Sequence, residues 1–260
     1  MPLINLPLTD ALCALLIFMR VVGIFVSAPV LSSARIPPHT KIGLAILIAI
    51  VLQPVIGITP LALPGNVLSY AALVIKEAVV GLSIGFVANM VFSAVQMAGE
   101  IADLQTGYAF AGLVDPYTGE RTSMVGQFQV LMAWLVFLAV NGHHLLLKGV
   151  ADSFQVLPLA SISVNENIVN GVIGLSSHIF LIALQIGAPI MGAVLLADLA
   201  LGLLARTVPQ LNILVIGFPI KMVMGLTVLV LALPLTIALQ QNLVHLMKDG
   251  MAYVMSFVTP

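Results

Sequence analysis

The chain has 260 residues, 61% of them hydrophobic and only 7% charged, with 9 Lys and Arg against 10 Asp and Glu. Soluble domains carry roughly a quarter charged residues, and so few polar side chains cannot cover a globular surface, so lipid or other protein must surround this chain. The formal net charge of -1 supplies no basic field for nucleic acid, and no acidic tail is present to attract a basic partner.

Residues 1–10 lack the positively charged opening of a cleavable leader, and Arg20 interrupts the apolar run that follows, so the first segment is expected to remain in the mature protein. A run of roughly 20 apolar residues is long enough for a helix to cross the hydrocarbon. Six stretches qualify, at about 11–34, 42–63, 71–98, 124–147, 168–197 and 211–239, with a shorter amphipathic tail at 240–258. They lack the short alternating pattern of membrane-barrel strands, which leaves the helix as the spanning structure and predicts an all-α, polytopic membrane-type protein in one domain, 1–260. Pro29, Pro54, Pro189, Pro219 and Pro234 lie inside or near the ends of these stretches, where each removes a helix hydrogen bond and predicts kinked or broken helices.

In chain order, Cys13 has no second cysteine to pair with and is expected to be packing. Arg20 lies inside the first stretch and Lys221 inside the last. Facing lipid at mid-membrane each would cost about 2.5–3.5 kcal/mol, so each either faces protein or water, or snorkels to a headgroup. Lys76 and Glu77 are neighbours, point about 100° apart on a helix, and are expected to find separate partners. Gly81 and Gly85 form a GxxxG step that admits a close helix crossing.

The region at about 100–123 is the one long connection with a polar middle. Asp115-Pro116-Tyr117-Thr118-Gly119 has the chemistry of a turn, while Tyr108, Phe110 and Leu113 are too apolar for a fully solvated loop and should pack against something. A weaker loop is expected at 157–166. Asn141-Gly142-His143-His144 ends the fourth stretch. Adjacent histidines diverge on a helix and have no carboxylate at i+3 or i+4, so they suit a structural or interface role better than a metal site. His178 and Gln185 suit interhelical hydrogen bonding better than a proton relay. No nucleophile frame, P-loop or dinucleotide glycine pattern is present, so neither catalysis nor a cofactor nor a metal is expected.

Loop charges assign no orientation. The first link carries Arg35 and Lys41, but the third carries Glu100, Asp103, Asp115 and Glu120 against Arg121, and Asp198 and Arg206 cancel in the fifth. Either the topology is not a six-span serpentine or partners shield much of the chain.

The block Asp198-Leu199-Ala200-Leu201-Gly202-Leu203-Leu204-Ala205-Arg206, with Pro209, Gln210, Asn212 and Gly217-Phe218-Pro219-Ile220-Lys221, resembles the signature of the type III secretion export-gate family, the FliR family of flagella and its virulence counterparts. Further resemblance lies in Arg20 with Gly23 and Pro29, in Arg35-Ile36-Pro37, in Lys41-Ile42-Gly43, in Gly99-Glu100-Ile101-Ala102-Asp103-Leu104-Gln105-Thr106-Gly107, and in the Asn141 to His144 run. It covers nearly the whole chain in order.

The resemblance implies a single-copy subunit of the flagellar export gate in the bacterial inner membrane, at the flagellar basal body. The expected partners are FliP, FliQ, FlhB, other export components and exported flagellar proteins. It implies long kinked helices arranged as hairpins around a central conduit, partly above the membrane plane. It matches residues 105–122 to a plug in that conduit, with Tyr108, Phe110, Leu113, Asp115 and Pro116 as its residues; a loop folded over its own helices is the alternative. Apart from the resemblance, Arg20, Lys76, Glu77, Asp198, Arg206 and Lys221 are expected to contact other helices or subunits, as charges in apolar surroundings generally must. A rival from the residues alone is a small-solute secondary transporter with Lys76, Glu77 and His178 as its coupling site, though no two related halves are visible. A passive assembly factor that leaves the finished complex is a third reading.

Overall fold

The computed structural model describes residues 8–33, 36–56, 66–109, 123–159, 167–210 and 212–258. Among the described residues there are seven helices and no strand: α1 (Leu8–Ser27), α2 (Pro38–Ile56), α3 (Val67–Thr106), α4 (Met124–Ala139), α5 (Gly142–Val156), α6 (Asn167–Thr207) and α7 (Ile213–Val258). Five of them, α1, α2, α3, α6 and α7, are long and apolar enough to cross a membrane, and α4 with α5 adds a sixth span if the pair is one broken crossing. The chain is an all-α polytopic membrane protein, as its apolar stretches predict.

The helices differ from the expected stretches in length. α3, α6 and α7 have 40, 41 and 46 residues, about twice the 20 or so that a span requires. The tail expected as a separate element after residue 239 continues α7 without a break, Pro219 and Pro234 notwithstanding. The stretch expected at 124–147 is instead two helices, because Asn141 adopts a left-handed φ of 57° and α5 restarts at Gly142. Asparagine tolerates that region better than most residues. Residues 100–106, expected in the connection, complete α3. The helix carries its polar residues onward until Gly107, at φ 91°, turns the chain.

The chain forms two compact clusters of contacts. The first comprises Met1–Met90, Asn141–Leu175 and His245–Pro260. Its centre is the crossing of α1 and α3. Glu77, Gly81 and Gly85 recur every four residues along one face of α3, and a Cβ on Gly81 would strike the backbone carbonyl of Arg20. In return, a Cβ on Gly23 would lie 2.5 Å from the carbonyl oxygen of Ala78, so both backbones touch. Leu16, Ile17, Val21, Ile24 and Phe25 fill the surroundings. α2 packs on α1 and buries Ala45 and Ala49, leaving most of its large aliphatic side chains outward. Met247, Met251 and Met255, four residues apart on α7, are buried, and Met251 lies against Gly149 of α5.

The second cluster comprises Val91–Val140 and Ser176–Val244. Ala102, Val125, Ile190, Val194 and Leu229 form its core, with Tyr108 and Val228 packed on it. Phe92 meets Phe137 edge to face at 5.5 Å between ring centroids. Gly99 of α3 faces Gly126 of α4 backbone to backbone, which draws the two helices together where α4 begins.

The α1–α3 crossing leaves no volume for a side chain. Gly81→Val should lower the unfolding free energy of the isolated chain in mixed detergent by about 3 kcal/mol, the upper end for overpacking. Gly192→Ala, where a Cβ meets nothing within 4 Å, should leave it nearly unchanged. Wild-type resistance to sodium dodecyl sulfate in the Gly81 variant would refute this packing.

Candidate functional sites: two ion pairs and the root of a loop

Arg20 and Glu77 are both 0% exposed, and the guanidinium Nε donates to Glu77 Oε2 at 2.6 Å. Arg20 Nη1 donates to the carbonyls of Ser153 at 3.1 Å and Leu157 at 2.9 Å, and the guanidinium carbon lies 4.2 Å from the centroid of the Phe154 ring. These carbonyls belong to the last turn of α5 and the residue that caps it, where helix carbonyls run out of N–H donors and carry partial negative charge; Ser153 O also accepts from the Leu157 N–H at 2.9 Å. One guanidinium therefore neutralises a carboxylate on α3 and caps α5 from α1. Lys76, beside Glu77, is exposed. Ser153, Phe154 and Leu157 carry no signal in the sequence that would pair them with a residue more than 130 positions earlier.

The second site is the root of the connection after α3. Gly107 turns the chain with the Phe218 ring against it, so close that a Cβ would lie 2.7 Å from Cδ1. The Tyr108 hydroxyl donates to the carbonyl of Met222 at 3.1 Å, and Thr106 rests on Gly225. α7 thus grips three consecutive residues of the chain as it leaves α3. The returning end is held too. Ser123 caps α4 by accepting from Gly126 N–H at 2.8 Å, and its hydroxyl donates to the Asp103 carboxylate at 2.5 Å. The N–H of Val125 also donates to Asp103, at 3.3 Å, which places that buried anion at the positive end of α4. An apolar groove of about 390 Å³ opens beside Tyr108, between Met124, Phe128, Leu226 and Leu233. Of the residues expected in the plug, Tyr108 is half-buried at this root, whereas Phe110, Leu113, Asp115 and Pro116 lie outside the described residues.

The third site joins α6 to α7 through an ion pair between Asp198 and Lys221, whose side chains are 50% and 24% exposed. It lies on a groove of about 290 Å³ bordered by Leu201, Gly202, Ile213, Gly217 and Phe218. Arg206, two turns further along α6, is exposed and makes no ion pair among the described residues. The His143 and His144 rings lie on the surface with centroids 4.3 Å apart and planes tilted by 36°, His178 and Gln185 are exposed on α6, and among the described residues no group of three His, Cys, Asp or Glu is placed to hold a metal ion.

The sequence model of bacterial export proteins, family 1, matches residues 11–247, a stretch that contains all three sites. The chain belongs to this family. Its similarity to "Flagellar biosynthetic protein FliR" of Bacillus subtilis is 36% identity over 94% of this chain and 95% of that protein. The protein of the same name in Escherichia coli is 36% identical over 78% of this chain and 77% of its own length, and that of Aquifex aeolicus 27% over 95% of each. The likeness to these export-family proteins runs through both contact clusters rather than through one helix pair.

Arg20→Met alone strands a buried carboxylate and should cost about 3–5 kcal/mol, whereas Arg20→Met with Glu77→Met should recover at least half of that loss. A double-mutant cycle on detergent unfolding measures the coupling. Losses that simply add would show that the two charges do not depend on each other.

Proposed function

We propose that this protein is a membrane subunit of the flagellar type III protein export apparatus that forms part of the gated conduit for unfolded flagellar proteins. The observation that carries the reading is family membership along residues 11–247, together with end-to-end similarity to a protein named for flagellar biosynthesis. Five apolar helices with wide outward faces of Leu, Ile and Val agree with a component enclosed by lipid and sister subunits. On this reading the chain sits in the inner membrane at the basal body and assembles with FliP, FliQ and FlhB. It passes cargo without chemistry of its own.

The loop rooted at Gly107 and Tyr108 is the gate element in this scheme. A constriction of apolar side chains stops ions and water by remaining dry. Such an element must be tethered to a fixed wall, and the contacts of Tyr108 with Met222 and of Gly107 with Phe218 supply a tether on α7. The small-solute carrier gains no support. Glu77 is engaged with Arg20 in the protein interior, and Lys76 and His178 lie on exposed faces.

Deleting residues 108–113 should leave the subunit able to assemble while making membranes that carry the complex leaky to small ions. Conductance measured across such membranes checks this. Intact assembly with the same low conductance as the wild type would remove the gate role from this loop.

A further inference from the structure

The two ion pairs answer the same problem to different extents. Arg20 and Glu77 close on each other at 0% exposure, but half of the Asp198 side-chain surface stays open beyond what Lys221 covers. Leu195, Leu199 and Leu203, each at least 60% exposed, run along α6 to one side of Asp198, about 60–140° round the helix from it, so the open carboxylate borders an uncovered apolar face. Water over this face would solvate the carboxylate and leave a run of leucines uncovered, at a cost that grows with the apolar area left wet. Hydrocarbon would suit the leucines and leave the anion without a partner on its outer edge, where few charges are tolerated. A protein helix that is apolar along its length and carries one cationic side chain satisfies both demands.

The local charge fixes the sign of that side chain. Lys221 is the less exposed member of the pair, so the outward edge is anionic. Space is available beside it. The groove of about 290 Å³ borders Asp198, and a Cβ on Gly202 at its margin would meet nothing within 4 Å, which allows a second helix backbone to approach. We infer that the outer edge of Asp198 seats a Lys or Arg side chain from a helix of a neighbouring protein subunit. The inference rests on the reading of this chain as one subunit of a larger export apparatus.

Exchanging the charges separates the two roles of Asp198. Asp198→Lys with Lys221→Asp retains attraction between α6 and α7 while inverting the charge shown to the neighbour. The exchanged chain should accumulate in membranes and resist detergent unfolding as the wild type does. Its recovery in complex with other membrane proteins, and flagellar protein secretion with it, should fall at least tenfold. Asp198→Glu should keep both within twofold. Should the exchanged chain fail to accumulate, Asp198→Asn provides the same test, since an amide retains a hydrogen bond to Lys221 and loses the anion; the same tenfold loss is expected. Wild-type recovery and secretion in whichever variant accumulates would overturn the inference. So would a photoreactive group at Leu195 that forms adducts with phospholipid alone, which would make a lipid amine the occupant. A wild-type chain that co-purifies with no other protein overturns the multi-subunit reading as well, whereas wild-type assembly undisturbed by the exchange overturns this inference only.

Discussion

A charge inside a chain that is 61% hydrophobic has little water within reach, so its neutralisation must be built by folding. Arg20 shows the consequence most fully. Its guanidinium is fixed by a carboxylate on α3, by two carbonyls at the end of α5 and by the Phe154 ring, so three helices of the first cluster meet at one side chain. Apolar residues of equal volume could fill the same space at comparable stability. They would not specify the meeting point, since leucines interdigitate in many registers, whereas a guanidinium with directed donors admits few.

Close approach and charge are coupled at this crossing. The backbone carbonyl of Arg20 lies against Gly81 while its side chain reaches Glu77, one turn earlier on the same face of α3. A side chain at Gly81 would separate the helices and lengthen the ion pair with them. The same logic operates at Gly99 and Gly126, where backbone contact brings the start of α4 near enough for Asp103 to accept from Ser123 and Val125.

The sequence reveals the helical class because apolar length is a one-dimensional property, and 42–63 or 168–197 can be recognised by counting. It also reveals Gly81 and Gly85, since helical spacing places them on one face. It does not reveal that Glu77 belongs to that face's partner set, because the partner is on α1 and tertiary distance is not encoded in local spacing. The ends of α3 are misread for a related reason. Glu100 and Asp103 resemble loop residues by polarity, yet Asp103 is buried and satisfied by the start of α4, so the helix continues. Asn141-Gly142 is legible as the end of a segment, but the renewed helix beyond it depends on packing of Leu146, Val150 and Phe154 that no local signal announces. Among the site residues, Ser153, Leu157 and Met222 contribute backbone carbonyls, and an acceptor possessed by every residue leaves no mark on residue choice.

Asp103 and Phe218 show how two tethers confine a connection from opposite sides. Asp103 belongs to the outgoing helix but is hydrogen-bonded to the returning one, which fixes the separation of the two ends. Phe218 belongs to neither end, lies against Gly107 at the root, and also borders the groove of Asp198 and Lys221. A side chain entering that groove therefore meets the same aromatic ring that covers the turn out of α3. Gly107 holds φ at 91°, a region few other residues tolerate, so the turn cannot be relocated along the chain without losing this contact. The ring, the glycine and the charged groove form one contiguous set of contacts within the second cluster, and the geometry at the turn out of α3 is inseparable from the packing of the α6–α7 pair.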